Sequence, residues 1–169
     1  MEHQNLIIDS DSIARKITRV AYQIMEEHCL EKEIHLIGIQ PGGMVLSSLL
    51  KKELDKIGFA IEVYEHQLSI DKKDPVSGAM KMSFDVAKME DKCVVIVDDV
   101  CNSGKTIFYA YKPLMNIKVK SLKIAVLVDR KHKRFPIHCD YVGTSLSTTL
   151  QEHINVKIEN NQLIGAFLS

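Results

Sequence analysis

The stretch V94-V-I-V-D-D-V-C-N-S-G-K-T106, Val94 to Thr106, decides the fold. Its first half is a short, β-branched apolar run of the kind that forms a strand buried on both faces. The run ends in two carboxylates, Asp98 and Asp99, and then in a loop that opens a helix near Lys105. Gly104 lets the backbone turn closely around an anion, so that several N–H groups and the helix start face a phosphate. Ser103 and Thr106 add hydroxyl donors, and Lys105 adds a positive charge. The Gly-Lys-Thr ending also closes the nucleoside triphosphate P-loop, but that motif requires a glycine where this chain has Asp99. An acidic pair ahead of a phosphate cradle suits a ligand with both hydroxyls and a phosphate. Asp98 and Asp99 accept hydrogen bonds from ribose hydroxyls while the loop holds a 5-phosphate.

Two further apolar runs flank this one in the chain. IHLIGI (Ile34–Ile39) predicts a buried strand broken sharply by Gln40-Pro41-Gly42-Gly43, with a helix over about Met44 to Ile57 and a stop at Gly58. LKIAVLV (Leu122–Val128) predicts another buried strand, running into DRKHKR. A helix is expected from a cap at Asp9 or Ser10 to about His28, with Ile13, Ile17, Ala21 and Ile24 on one face. A further helix is expected over about Lys105 to Met115. Ala60–Ile70 begins as an alternating strand, the segment from Ser69 to Ser83 as a loop or mobile hairpin, and Asp140–Gly143 as a last short strand. Strands that are continuous apolar runs separated by helices predict an α/β fold: a doubly wound, mostly parallel sheet with helices on both faces. In such sheets ligands sit outside the carboxyl ends of the strands. The segments QPGG, DDVCNSGKT and DRKHKR therefore share one rim.

The bulk properties restrict the function classes. The chain of 169 residues fits one domain over 1–169, and its 46% hydrophobic content fits a globular protein. Twenty-two basic residues balance 22 acidic ones, so the chain lacks the excess positive charge of a general polyanion binder. No apolar run is long enough to span a bilayer, and the start MEHQNLIIDSDS lacks a signal-peptide pattern, so a cytoplasmic location without membrane partners is expected. Cys29, Cys93, Cys101 and Cys139 form no CxxC pair and no zinc-ligand spacing; they are expected to be reduced, with no dedicated protein metal site.

The Val94–Thr106 segment resembles the fingerprint of the type I phosphoribosyltransferases, and most of the chain is similar to the pyrimidine-operon attenuator proteins that are also uracil phosphoribosyltransferases. The matching stretches are Lys16–Ala21 (KITRVA), Ile37–Gly43, the fingerprint itself, and Ala125–Gly143 (AVLVDRKHKRFPIHCDYVG). The resemblance implies an enzyme that uses 5-phosphoribosyl-1-pyrophosphate, releases pyrophosphate, and attaches a nucleobase to the ribose. It implies Mg²⁺ as cofactor, held mainly through substrate oxygens with help from Asp98 and Asp99, which are the expected catalytic residues. Asn102, Ser103, Gly104, Lys105 and Thr106 are expected to bind the 5-phosphate side. Gln40, Pro41, Gly42 and Gly43 are expected to bind pyrophosphate, with a cis Gln40–Pro41 peptide, since proline makes that geometry accessible. Arg130 and the backbone up to Ile137 are placed near the base. Asn102 and Asp129 stand where purine enzymes carry an Asp and a Lys, which favours uracil. A small hood from about 144–169, a closing lid at 69–83 and a homodimer or higher homo-oligomer complete the implied picture. The alternatives from the same residues are an RNA-binding regulator of pyrimidine genes, using Arg130–Arg134 with Arg15, Lys16 and Arg19, and a non-catalytic nucleotide sensor.

Overall fold

The structure, a computed structural model, describes residues 5–58, 60–71, 73–76, 78–149 and 152–168. A first strand, β1 (Asn5–Asp9), leads directly into α1 (Ser10–His28). The Asp9 side chain caps α1 by accepting from the Ser12 N–H at 2.7 Å, as its short polar side chain predicts. Strand β2 (Glu33–Ile39) then turns through Gln40 and Pro41 into α2 (Gly42–Ile57). Gly58, at φ 77°, closes α2 in the left-handed conformation that glycine takes without strain. The chain continues through β3 (Glu62–Ser69), the short β4 (Lys81–Met82), β5 (Cys93–Cys101) and α3 (Lys105–Ala110). It ends with β6 (Ser121–Arg130), β7 (Tyr141–Leu146), β8 (Ile154–Glu159) and β9 (Gln162–Leu168).

Six strands form the main sheet in the order β4-β3-β2-β5-β6-β7. All neighbours are parallel except β3 and β4. Residues of β5 explain the layering: Val95 and Val97 pack under α1 and α2 with Leu46, Leu50 and Leu127, while Val94 and Ile96 pack on the opposite face with Ile107, Ala110 and Ile124. A strand apolar from Cys93 to Val97 is thus buried on both sides, and the doubly wound α/β reading holds.

Two features differ from the sequence expectation. The helix expected to run from Lys105 to Met115 is α3 alone, followed by a 3-10 turn at Lys112–Leu114, because Pro113 lacks the N–H that would continue the α-helix. A second sheet of three antiparallel strands, in the order β1-β9-β8, covers one end of the molecule. Its strands β8 and β9 lie in the region expected to supply a hood, but β1 comes from the opposite end of the chain. Asn5 pairs with Leu168 at the same position that Leu168 pairs with Ile154. Residues 72, 77, 150 and 151 fall within the expected lid and hood and lie outside the described residues. Among the described residues no helix is long and apolar enough to cross a membrane.

Candidate active site

The carboxyl ends of β2, β5 and β6 meet on one rim, where the crossover rule places ligands. Asp98 is 2% exposed, sits in the β5 ladder opposite Val126, and accepts from the Asp99 N–H at 3.0 Å. Asp99 is half-buried and accepts from the Val100 N–H at 3.0 Å. Its carboxylate lies against the start of α2. A Cβ on Gly42 would fall 2.2 Å from Asp99 Oδ2. A Cβ on Gly43 would fall 2.2 Å from the Val97 carbonyl oxygen. The paired glycines therefore let the turn after β2 press against the acidic pair at the end of β5. Two segments more than fifty residues apart become one wall of the site.

The turn itself is fixed on its other side by the Gln40 N–H, which donates to the Leu68 carbonyl at 2.9 Å. The Gln40–Pro41 peptide is cis, as expected from the sequence. Gln40 and Pro41 line a hollow of about 970 Å³ that extends along Gln67 and Ser69 of β3 to Ile158 and Asn161 of the small sheet.

Beyond Asp99 the chain wraps a second cavity of about 150 Å³, lined by Asp98, Asn102, Ser103, Gly104, Lys105 and Thr106 among others. Gly104 takes φ 83°, and a Cβ there would fall 3.2 Å from Ile137. The Ser103 hydroxyl accepts from the Lys105 N–H at 3.3 Å, and the Ser103 carbonyl accepts from the N–H groups of Arg134 and Phe135 at 3.0 and 3.1 Å. The phosphate-type loop is thus backed by the segment that follows β6. Asn102 donates from Nδ2 to the Ile154 carbonyl at 3.3 Å, which ties the loop to the small sheet. Its Oδ1 is buried and has no donor among the described residues.

Other expected residues take different places. Arg130 is 6% exposed and is turned to the segment after β7, donating from Nε to Thr148 Oγ1 and from Nη2 to the Thr149 carbonyl, each at 2.6 Å. Lys133, read as part of a basic surface run, points inward. Its ammonium ion-pairs with Asp129 and also donates to the carbonyls of Arg130 and Cys101, the latter at 3.3 Å. Burial is the largest single influence and works against that charge, but the Asp129 hydrogen bond and the surrounding negative charge together hold the Lys133 pKa above its ordinary value. Arg19 donates to the carbonyls of Val142 and Gly143 at 3.0 and 2.6 Å. Lys131, His132 and Arg134 are exposed.

Sequence spacing pointed to no set of metal ligands, yet the fold brings three potential donors together. Sulfur atoms of Cys101 and Cys139 and a carboxylate oxygen of Asp129 lie within 4.8 Å of one another, and all three residues are buried. They sit on β5, β6 and the approach to β7, so no local motif could have announced them. All four cysteines are free thiols. The hard carboxylate oxygens of Asp98 and Asp99, beside a turn held open by Gly42, fit Mg²⁺, whereas the two thiols of the buried cluster do not.

A doubly wound sheet thus carries an acidic pair, a glycine-hinged loop and a glycine turn together on one rim. The phosphoribosyl transferase domain model matches residues 3–160, and the chain belongs to that family. Among curated relatives it is 31% identical over 166 residues to the "Bifunctional protein PyrR" of Haemophilus ducreyi, covering 93% of this chain and 91% of that protein. It is 33% identical over 161 residues to the protein of the same name from Acetivibrio thermocellus, covering 90% and 86%. Among solved structures the Trypanosoma cruzi hypoxanthine phosphoribosyltransferase superposes with a TM-score of 0.75 at 19% identity over 95% of both chains. A hypoxanthine-guanine phosphoribosyltransferase from Bacillus anthracis superposes with a TM-score of 0.70 at 22% identity, covering 86% and 84%. At those identities the structural likeness speaks for the fold alone.

Proposed function

We propose that this phosphoribosyltransferase transfers the 5-phosphoribosyl group of 5-phosphoribosyl-1-pyrophosphate to uracil, releasing pyrophosphate. The observation that carries the reading is the contact of the Asp99 carboxylate with the Gly42 turn, which joins a ribose clamp to a pyrophosphate-binding turn. Asp98 and Asp99 accept hydrogen bonds from the ribose hydroxyls and offset positive charge as the anomeric carbon gains oxocarbenium character. The N–H groups and hydroxyls of Asn102 to Thr106 hold the 5-phosphate, and the N–H groups of Gly42 and Gly43 hold pyrophosphate with the side-chain amide of Gln40, whose own N–H is engaged by the Leu68 carbonyl; Pro41 has no N–H to offer. Asp98 and Asp99, together with substrate oxygens, would hold Mg²⁺, which would supply neutralising charge for the departing pyrophosphate. No protein nucleophile is needed, and the rate enhancement comes from positioning and electrostatics.

Uracil is favoured over purines by the groups that face the base side. Asn102 carries a buried acceptor, Oδ1, with no donor among the described residues, suited to a ring N–H. Asp129, paired with Lys133, is a carboxylate where a purine enzyme carries a lysine. Arg130 supports the base side indirectly, by fixing Thr148 and Thr149. The test is competition among uracil, hypoxanthine and guanine for limiting phosphoribosyl pyrophosphate, with products separated by chromatography. Uridine monophosphate should dominate, and a purine nucleotide as the main product would overturn the base assignment.

A further inference from the structure

We propose that Cys101, Asp129 and Cys139 form a binding site for a soft divalent metal ion such as Zn²⁺, placed behind the phosphate loop and separate from any Mg²⁺ that accompanies substrate. Three potential donors converge inside the protein: Cys101 is 1% exposed, and Asp129 and Cys139 are each 7% exposed. Zinc bonds of about 2.3 Å to sulfur and about 2.0–2.2 Å to carboxylate oxygen, in tetrahedral geometry, set donors about 3.5–4 Å apart. Cys139 Sγ already lies 3.7 Å from Asp129 Oδ1, and no donor pair in the cluster exceeds 4.8 Å. Small side-chain rotations close the remainder. Three protein donors leave a fourth position open to water.

Charge balance also favours the ion. With both thiols protonated, the Asp129–Lys133 ion pair leaves the buried cluster formally neutral. When one divalent ion enters, two thiol protons leave to solvent and the sulfurs become thiolates. The sum stays at zero with Lys133 still in place, so no unpaired charge is buried. Two thiolates and one carboxylate select Zn²⁺ or Co²⁺ over Mg²⁺ or Ca²⁺.

The location gives the ion a task. Cys101 is the last residue of β5 and lines the phosphate-loop cavity, and Cys139 lies two residues beyond Ile137, which packs on Gly104. A bound ion would pin the root of the loop to the segment that backs it.

Titration of the full, reduced chain with Co²⁺ tests the site. The expected result is one ion per chain, with thiolate-to-cobalt charge-transfer absorption and tetrahedral d–d bands that survive excess Mg²⁺ and vanish on adding Zn²⁺. Cys101→Ser and Cys139→Ser should each lose the tetrahedral bands and at least half of the charge-transfer intensity, while Cys29→Ser keeps both. X-ray absorption at the zinc edge of the loaded wild-type chain should show two sulfur neighbours, which decides the question even if a serine variant fails to fold. Absence of the bands in the wild-type chain, their persistence in both serine variants that fold, their loss in Cys29→Ser, or a zinc shell without two sulfurs would each overturn the proposal.

Discussion

Gly42→Ala should separate ligand binding from stability. Gly42 is the first residue of α2, and its φ is not in the left-handed region, so the backbone accepts alanine. The new methyl would fall 2.2 Å from Asp99 Oδ2 and 2.3 Å from Cγ, far inside van der Waals contact. What must yield is the end of a side chain, so the carboxylate swings aside while the helix and strand stay. Alanine in place of glycine favours the helix by about 0.5–1 kcal/mol, which offsets the lost Val100 N–H bond to Asp99. Stability should stay within about 1 kcal/mol of wild type, a melting shift of no more than about 2–4 °C. The displaced carboxylate loses a charge-assisted hydrogen bond to the ribose, about 1.5–3 kcal/mol, so affinity for phosphoribosyl pyrophosphate should fall roughly 10- to 150-fold. Gly43→Ala is the contrast. Its methyl would meet the Val97 carbonyl oxygen at 2.2 Å and the Asp98 Cα at 2.8 Å, and backbone cannot step aside. That variant should lose about 1–3 kcal/mol of stability as well as binding. Thermal unfolding and calorimetric titration of both variants check this. Wild-type affinity in a folded Gly42→Ala would refute the reasoning, because Asp99 would then have moved without consequence.

Asn102→Ala removes the tie to the Ile154 carbonyl and the buried acceptor; it should raise KM for the base roughly 5- to 10-fold, about 1 kcal/mol, with a smaller change in phosphoribosyl pyrophosphate affinity, measured by steady-state kinetics. Arg130→Lys loses the paired bonds to Thr148 and Thr149 and should cost about 1–3 kcal/mol in thermal unfolding, with faster proteolysis near Thr148. Tyr141→Phe deletes the hydrogen bond to Glu27, the leading reason that the Glu27 pKa lies below its ordinary 4.5, ahead of the Lys123 hydrogen bond. A lowered carboxyl pKa contributes stability above the unfolded value and loses it as pH falls through the folded value, so the difference between Tyr141→Phe and wild type in urea unfolding should be full at neutral pH and shrink below about pH 4.5.

The parts of the fold that are local in sequence were legible. Val94–Val97, Ile34–Ile39 and Leu122–Val128 announce buried parallel strands because nearly every position is apolar, and Asp9 and Gly58 mark helix ends through their own side-chain or backbone chemistry. The end of β5 at Asp98 and Asp99 and the loop of Asn102–Thr106 leading into α3 stand where the sequence placed them. The small sheet was not: β1 and β9 pair from opposite ends of the chain, and β8 alternates buried and exposed positions beside polar turns. Lys133 and Arg130 illustrate the same limit at the site. A run of basic residues looks like a solvated face, and only the partners Asp129, Thr148 and Thr149, brought in by folding, turn two of its members inward. The cluster of Cys101, Asp129 and Cys139 comes from three separate elements, so spacing carried no trace of it.

The acidic pair at the end of β5 is proposed to hold phosphoribosyl pyrophosphate, and calorimetric titration of that ligand with Mg²⁺ into the wild-type chain and into Asp98→Asn/Asp99→Asn tests this. Saturable binding at one site per chain is expected in the wild type and no measurable binding in the double variant, whose far-ultraviolet circular dichroism stays native. Equal affinity in the two proteins would contradict it.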